Sequence, residues 1–251
     1  MAKQKGLIRL DGSIGDMTYY KSKDGYRAME KPGLAPGRIA SDPGFQRTRE
    51  NMAEFGRAGT SGKLMRHAIN PLLKDAKDSR VVSRLTKMMS QVIKSDKVNK
   101  RGQRTVGDGD MTLLKGFEFN ANAILGTTLY VAPATVIDRA TGTLTINIPA
   151  FVPSSSIVAP QGATHFKLVS AGAAIDFDTH TFTSGRNVSS AYAWDETPVD
   201  AIALANTVAA GTTLPLFLFL GIQFFQEMNG IQYPLLTGSF NALSLIEVNI
   251  A

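Results

Sequence analysis

Apolar positions recur with two different periods along this chain of 251 residues. Between residues 42 and 100 they follow a helical rhythm, and after residue 117 they follow the alternation of strands. Val81, Val82, Leu85, Met88, Met89, Val92 and Ile93 fall at i, i+1, i+4, i+7, i+8, i+11 and i+12. That spacing predicts an amphipathic helix starting after Asp78 or Ser79, with Arg80, Arg84, Lys87, Lys94 and Lys97 mainly on its other faces. Upstream, Asp42 as N-cap and Pro43 at the first helical position open a helix that runs to about Arg57 and stops near Gly56 and Gly59. A further helix begins at Thr60 or Ser61, carries Leu64, Met65, Ala68, Ile69, Leu72 and Leu73, and is kinked at Pro71. Asn99 to Asp110 is glycine-rich, charged and aperiodic, and reads as a linker.

The first thirty residues read as a small β-unit. Gly12-Ser13-Ile14-Gly15-Asp16 is turn chemistry, and Met17-Thr18-Tyr19-Tyr20 is a strand. Lys23-Asp24-Gly25 supplies a hairpin turn from which Tyr26-Arg27-Ala28-Met29 returns, and Leu7-Ile8-Arg9-Leu10 adds a third strand. Pro32, Gly33, Pro36 and Gly37 form an elbow. In the second half the strand candidates are Phe117–Asn120, Thr143–Ile148, Thr164–Val169, Ala174–Phe182, Leu214–Gln226, Ile231–Leu236 and Ala242–Ile250. Asn229-Gly230 joins two of them as a hairpin. The expected fold is α+β: a hairpin and elbow over 1–41, a basic three-helix segment with linker over 42–110, and an antiparallel β-sandwich over 111–251. An immunoglobulin-like layout is one arrangement of that sandwich.

Charge sharpens the division. The formal net charge is +6, yet residues 1–106 carry +13 and residues 107–251 carry −7. Such a dipole attracts copies of itself head to tail, or sets its basic half on a polyanion. Cysteine is absent, which removes disulfides, thiolate metal sites and thiol nucleophiles. No apolar stretch follows Lys3 and Lys5 as a signal peptide requires, so synthesis in the cytoplasm is expected, with release as part of a particle or filament compatible with it. Leu214 to Phe225 is too short to span a bilayer and is interrupted by Gln223, so no membrane partner is expected.

Candidate chemistry is sparse. Gly56 to Lys63 imitates a phosphate loop, but Arg57 stands where the pattern needs glycine, and Leu64 where it needs Ser or Thr. It reads instead as a connection between helices. Asp176, Asp178 and His180 alternate and would share one face of a strand, a metal-ligand pattern whose alternative is a solvated sheet face. Asp108-Gly109-Asp110 is a polar turn without the rest of a calcium loop, and His67, His165 and His180 sit in unrelated segments. No serine elbow is present. The reading is therefore non-enzymatic, with no cofactor and no metal. Arg47, Arg49, Arg57, Arg66, Arg80, Arg84 and neighbouring lysines offer a surface for non-specific nucleic-acid binding, though no helix-turn-helix, zinc-finger or RNA-stacking motif accompanies them.

Gly12 to Tyr20, then Asp24-Gly25-Tyr26-Arg27, a proline elbow and Phe45-Gln46-Arg47-Thr48-Arg49-Glu50-Asn51 resemble the N-terminus of uncharacterised Bacteroidota proteins. The stretch is similar, more loosely, to a small phage family that opens Gly-Ser-Ile-Gly-Gly and ends its hairpin on an arginine. The resemblance covers about a quarter of the chain. It implies a helical segment followed by a β-rich part, and the phage setting implies particle structure rather than enzymology. The β-half matches neither family.

Together these readings predict a self-assembling structural subunit of a filament, tube or phage-like particle, whose partner is itself. Its contacts are expected at Ile14, Tyr19, Tyr20, Tyr26, Arg27, Arg47 and Arg49, which would dock on a neighbour's acidic β-half. A glycan-binding β-module is a further alternative.

Overall fold

The structure, a computed structural model, describes residues 2–6, 8–30, 36–235, 238 and 240–250. Leu7 of the expected first strand, Pro32 and Gly33 of the elbow, and Leu236 at the end of the last hairpin lie outside the described residues. The chain divides into two compact units, Met1–Arg49 and Glu50–Ala251.

In the first unit, β1 (Ala2–Lys3), β2 (Gly12–Ile14), β3 (Met17–Ser22) and β4 (Gly25–Glu30) form an antiparallel sheet in the order β1-β4-β3-β2. The hairpin turn is as predicted: Ser22 pairs with Gly25 across Lys23-Asp24, and Gly25 takes φ +106°, a value that glycine alone adopts without strain. Two expectations are corrected. Gly12–Ile14 is an edge strand rather than turn, because Gly15 at φ +58° makes the reversal with Asp16. Ile8 to Leu10 is not a strand. The Gln4 side chain folds that segment back, accepting from Leu10 N at 2.9 Å and donating to Leu10 O and Arg27 O. After α1 (Pro36–Ser41), the Asp42 carboxylate accepts from Gly44 N at 2.9 Å and caps a 3-10 turn, Pro43–Phe45, that leads into α2 (Gln46–Ala68).

Helix α2 runs unbroken through Gly56, Gly59 and Gly62, where the sequence predicts a stop and a restart. A helical glycine costs about 1 kcal/mol relative to alanine, and burial of Ala58, Leu64, Met65 and Ala68 outweighs it. Pro71 breaks the helix rather than kinking it, starting the one-turn α3 (Asn70–Leu73). Helix α4 (Val81–Ser95) follows the periodic reading, with Leu85, Met89, Val92 and Ile93 buried and Val82 left exposed.

The expected linker is a fixed knot. Asp96, buried beyond the end of α4, accepts hydrogen bonds from Val98 N, Asn99 N, Asn99 Nδ2 and Thr105 N at 2.8–3.0 Å. Burial opposes its charge, but the bonds from Asn99, Thr105 and Val98 outweigh burial and hold the carboxyl down to about 2. A depressed carboxyl stabilises the fold fully above its unfolded value of about 3.9, and that contribution is lost as pH falls through about 2. Asp96→Asn should therefore cost about 2 kcal/mol at pH 7. The deficit should shrink towards pH 2, as read from urea midpoints across that range.

Beyond a 3-10 turn at Met111–Leu114 come α5 (Leu125–Thr128), β5 (Ala134–Asp138), β6 (Thr143–Ile148), α6 (Pro153–Ser156), β7 (His165–Asp176) and β8 (Thr181–Val188). They are followed by β9 (Tyr192–Ala193), β10 (Ile202–Thr207), β11 (Leu216–Met228), β12 (Ile231–Pro234) and β13 (Ala242–Asn249). The sheets are antiparallel: β10-β6-β5, and β12-β11-β7-β8 with β13 also on β11 and β9 on β7. The fold is thus mixed α+β.

Strands β7 and β11 are apolar on both faces, and alternation assigns each face its neighbour. Phe166, Leu168, Leu216, Leu218, Leu220 and Ile222 share a cluster with Leu144 and Ile146 of β6 and with Leu204 of β10. Val169, Ala171, Ile175, Phe217 and Phe219 share the other with Met65, Leu85, Met89 and Ile93. The helical segment and the β-rich half therefore meet in one core. The predicted strand Thr164–Val169 and the start of Ala174–Phe182 belong to one continuous β7, because Ser170 to Ala173 lies between packed layers and exposes nothing. The rest of Ala174–Phe182 is not a single strand: the chain turns over 177–180 and enters β8 at Thr181. Phe117–Asn120 makes a single bridge to β13, Glu118 to Ser244, and is not a strand.

Polar staples, the following among them, hold the smaller sheet to the larger. Asn187 Nδ2 of β8 donates to Ala205 O of β10 at 2.9 Å, where Gly185 brings the backbones together. Arg139, just after β5, donates to Asn249 Oδ1, Asn249 O, Thr212 O and Leu214 O at 2.7–2.9 Å.

Candidate functional site

Cross-strand pairing fixes which interface candidates share a face. Ile14 pairs with Met17, Tyr19 with Ala28, and Lys21 with Tyr26, so Ile14, Met17, Tyr19, Lys21, Tyr26 and Ala28 lie on one face of the N-terminal sheet. Tyr20 and Arg27 pair on the opposite face. The Arg9 guanidinium stacks 5.0 Å from the Tyr26 ring centre, and the Lys21 ammonium lies 5.9 Å from it. Ile14 is 59% exposed, and among the described residues of this unit Ala28 alone is buried.

The arginines have local roles. Arg27 donates to Ser22 Oγ at 3.2 Å and to Asp24 Oδ2 at 3.0 Å, bracing its own hairpin turn. Arg49 Nη1 donates to Ile39 O and Asp42 O, closing the carbonyls that precede α2. Arg47 is exposed in the first turn of α2. The structure thus groups Ile14, Tyr19 and Tyr26 and leaves Tyr20, Arg27, Arg47 and Arg49 apart from them.

The second unit holds a cleft of about 500 Å³ between α2 (Ala53, Gly56, Arg57, Thr60), Val106 and the β7–β8 turn (Phe177, His180). Arg57 does not face a ligand: its two terminal nitrogens donate to Arg104 O and Gly102 O at 2.9 Å. The shared strand face expected for Asp176, Asp178 and His180 does not form, because β7 ends at Asp176 and His180 sits in the turn at φ 59°. Asp176 accepts from Asp178 N and Thr179 N, and the Thr179 bonds lower its carboxyl pKa. Among the described residues no group of three His, Asp or Glu is placed to hold a metal ion. The phosphate-loop imitation at Gly56–Lys63 is helix interior, not a connection.

Several basic side chains of the helices are committed to structure. Arg84 donates to Glu118 O and pairs with Asp78, and Arg101 pairs with Glu50 and donates to Asn51. Among the described residues no helix is long and apolar enough to cross a membrane.

No family model, curated protein or solved structure matches the chain. Its function has to be argued from its own residues.

Sequence reasoning missed three features of this geometry. Arg9 stacks on the Tyr26 ring, a contact between residues seventeen apart that no local pattern announces. Arg139 is one of four basic residues in the second half, and that rarity is a usable signal. The apolar residues flanking Asn229-Gly230 were legible as a hairpin but not as an exposed one.

Proposed function

We propose that the chain is a non-enzymatic structural subunit that assembles with copies of itself, as in a filament, tube or phage-like particle. The observation that carries this reading is the N-terminal sheet, which has four strands, several aromatic and apolar side chains, and only Ala28 buried among the described residues. A sheet this small gains its stability from an apolar face packed against something, and a second copy supplies that cover. The charge of +13 on residues 1–106 against −7 on residues 107–251 favours contact between unlike ends. Contacts between unlike surfaces repeat from copy to copy and give fibres or rings. Apolar residues shared between the three-stranded and six-stranded sheets support a sandwich layout for the β-rich half.

Deleting residues 1–41 should reduce the assemblies to single copies, as followed by light scattering and negative-stain microscopy. Particles of unchanged size would overturn the docking role. Nucleic-acid binding is the competing outcome. It would show as raised 260 nm absorbance and as salt-sensitive binding to arbitrary DNA, with assembly that depends on added polyanion.

A further inference from the structure

The geometry points to the β11–β12 hairpin as an arm that docks on the N-terminal sheet of a second copy, an inference that rests on the self-assembly reading. Strand β11 pairs with β13 only as far as Ile222 opposite Ala242, and with β7 only as far as Phe225 opposite His165. Beyond that it has β12 alone, with Gln226 opposite Tyr233, Glu227 opposite Gln232 and Met228 opposite Ile231. Asn229 at φ 54° and Gly230 at φ 77° close the tip. The outer edge of β12 has no strand partner among the described residues.

Alternation sorts the arm into two faces. Met228, Ile231 and Tyr233 lie on one with Gln226, at exposures of 56%, 56% and 51% for the first three, and Phe225, Glu227, Gln232 and Pro234 lie on the other. A two-stranded ribbon is marginal alone and gains nothing from an uncovered apolar stripe, so the stripe calls for a cover.

Charge decides which surface covers it. Glu227 is the one charged residue between positions 225 and 234. It lies 3.5 Å from the His165 ring. Exposed Asp195 and Glu196 follow β9, which pairs with His165 at the root of the arm. Glu227 points away from the stripe, so the deciding charge is that of the whole β-rich half: two arms brought together would set two regions of net charge −7, residues 107–251, against each other, whereas residues 1–106 carry +13. The N-terminal sheet offers the complement: Ile14, Met17, Tyr19 and Tyr26 on one face, bordered by Lys21 and Arg9. Each copy then has one arm to give and one sheet to receive, so growth is linear and directional.

The test uses full-length chains and two exposed-site variants, Ile231→Asp in the arm and Ile14→Asp in the sheet, followed by sedimentation velocity at low salt. Each variant alone should associate at least about tenfold more weakly than the wild type, the effect of losing one buried aliphatic contact. Mixed together, the intact sheet of the first variant and the intact arm of the second should form 1:1 dimers and nothing longer. Assembly of Ile231→Asp at wild-type strength would overturn the arm while leaving self-assembly standing. Two weakened variants that form no mixed dimer would overturn the pairing of arm with sheet. A wild-type chain that stays monomeric would remove the self-assembly reading, and this inference with it.

Discussion

Replacing Arg139 with alanine is expected to cost about 3 kcal/mol of unfolding free energy. One guanidinium there satisfies the Thr212, Leu214 and Asn249 carbonyls and the Asn249 side chain, joining the end of β5 to β13 and to the segment before β11. Alanine leaves three carbonyls without this donor in a partly buried setting, and each loss counts because water reaches them poorly. Arg139→Lys separates charge from shape. Lysine keeps the positive charge but carries a single ammonium that cannot span four acceptors, so it should lose more than half of what alanine loses. The measurement is the urea midpoint of the three proteins. A lysine variant as stable as the wild type would show that charge alone suffices there.

Gly185→Ala should be nearly as damaging, by about 2–3 kcal/mol. A β-carbon at that position would stand 2.5 Å from Thr207 O and 2.8 Å from Thr207 N, both backbone atoms that cannot swing aside. Strands β8 and β10 would have to separate, straining the bond from Asn187 to Ala205 O and opening two edges to pairing with other chains. Gly59→Ala is the control. A β-carbon there meets nothing within 4 Å, inside a 23-residue helix, so alanine should stabilise by about 0.5–1 kcal/mol. Thermal unfolding of both variants should move in opposite directions. A shared direction would show that glycine's backbone freedom, and not contact, sets the effect.

The legible parts of the fold are those whose signals are local. The stripe of α4, the Asp42 cap with Pro43, the Lys23-Asp24 turn and the Asn229-Gly230 turn each follow from a few neighbouring residues. The misread parts depend on what lies opposite in space. The helix continues through Gly62 because its flanking residues Ala58, Leu64 and Met65 are buried in one core with Leu85 and Met89 of α4, and nothing in positions 56–62 announces that neighbour. Ser170 and Gly172 look like a strand break, yet Ser170 bonds the buried Asn206 of β10 and Gly172 lies close to Leu144 and Asn206. At the bulge between Leu218 and Phe219, β13 carries an extra residue, Ile246, which blurs the period of its pattern. The candidate interface follows the same division. The residues of the candidate interface were legible one by one, whereas the common face of Ile14, Tyr19 and Tyr26 and the local engagements of Arg27 and Arg49 needed coordinates.

The double-sided burial of β7 and β11 has a consequence for how the protein is made. Translation delivers the greasy stripe of α4 long before the strands that shelter it, and those strands are themselves incomplete until β13 emerges from the ribosome. During that interval the growing polypeptide carries unsheltered apolar surface, which makes chaperone occupancy during synthesis an expected property of this protein.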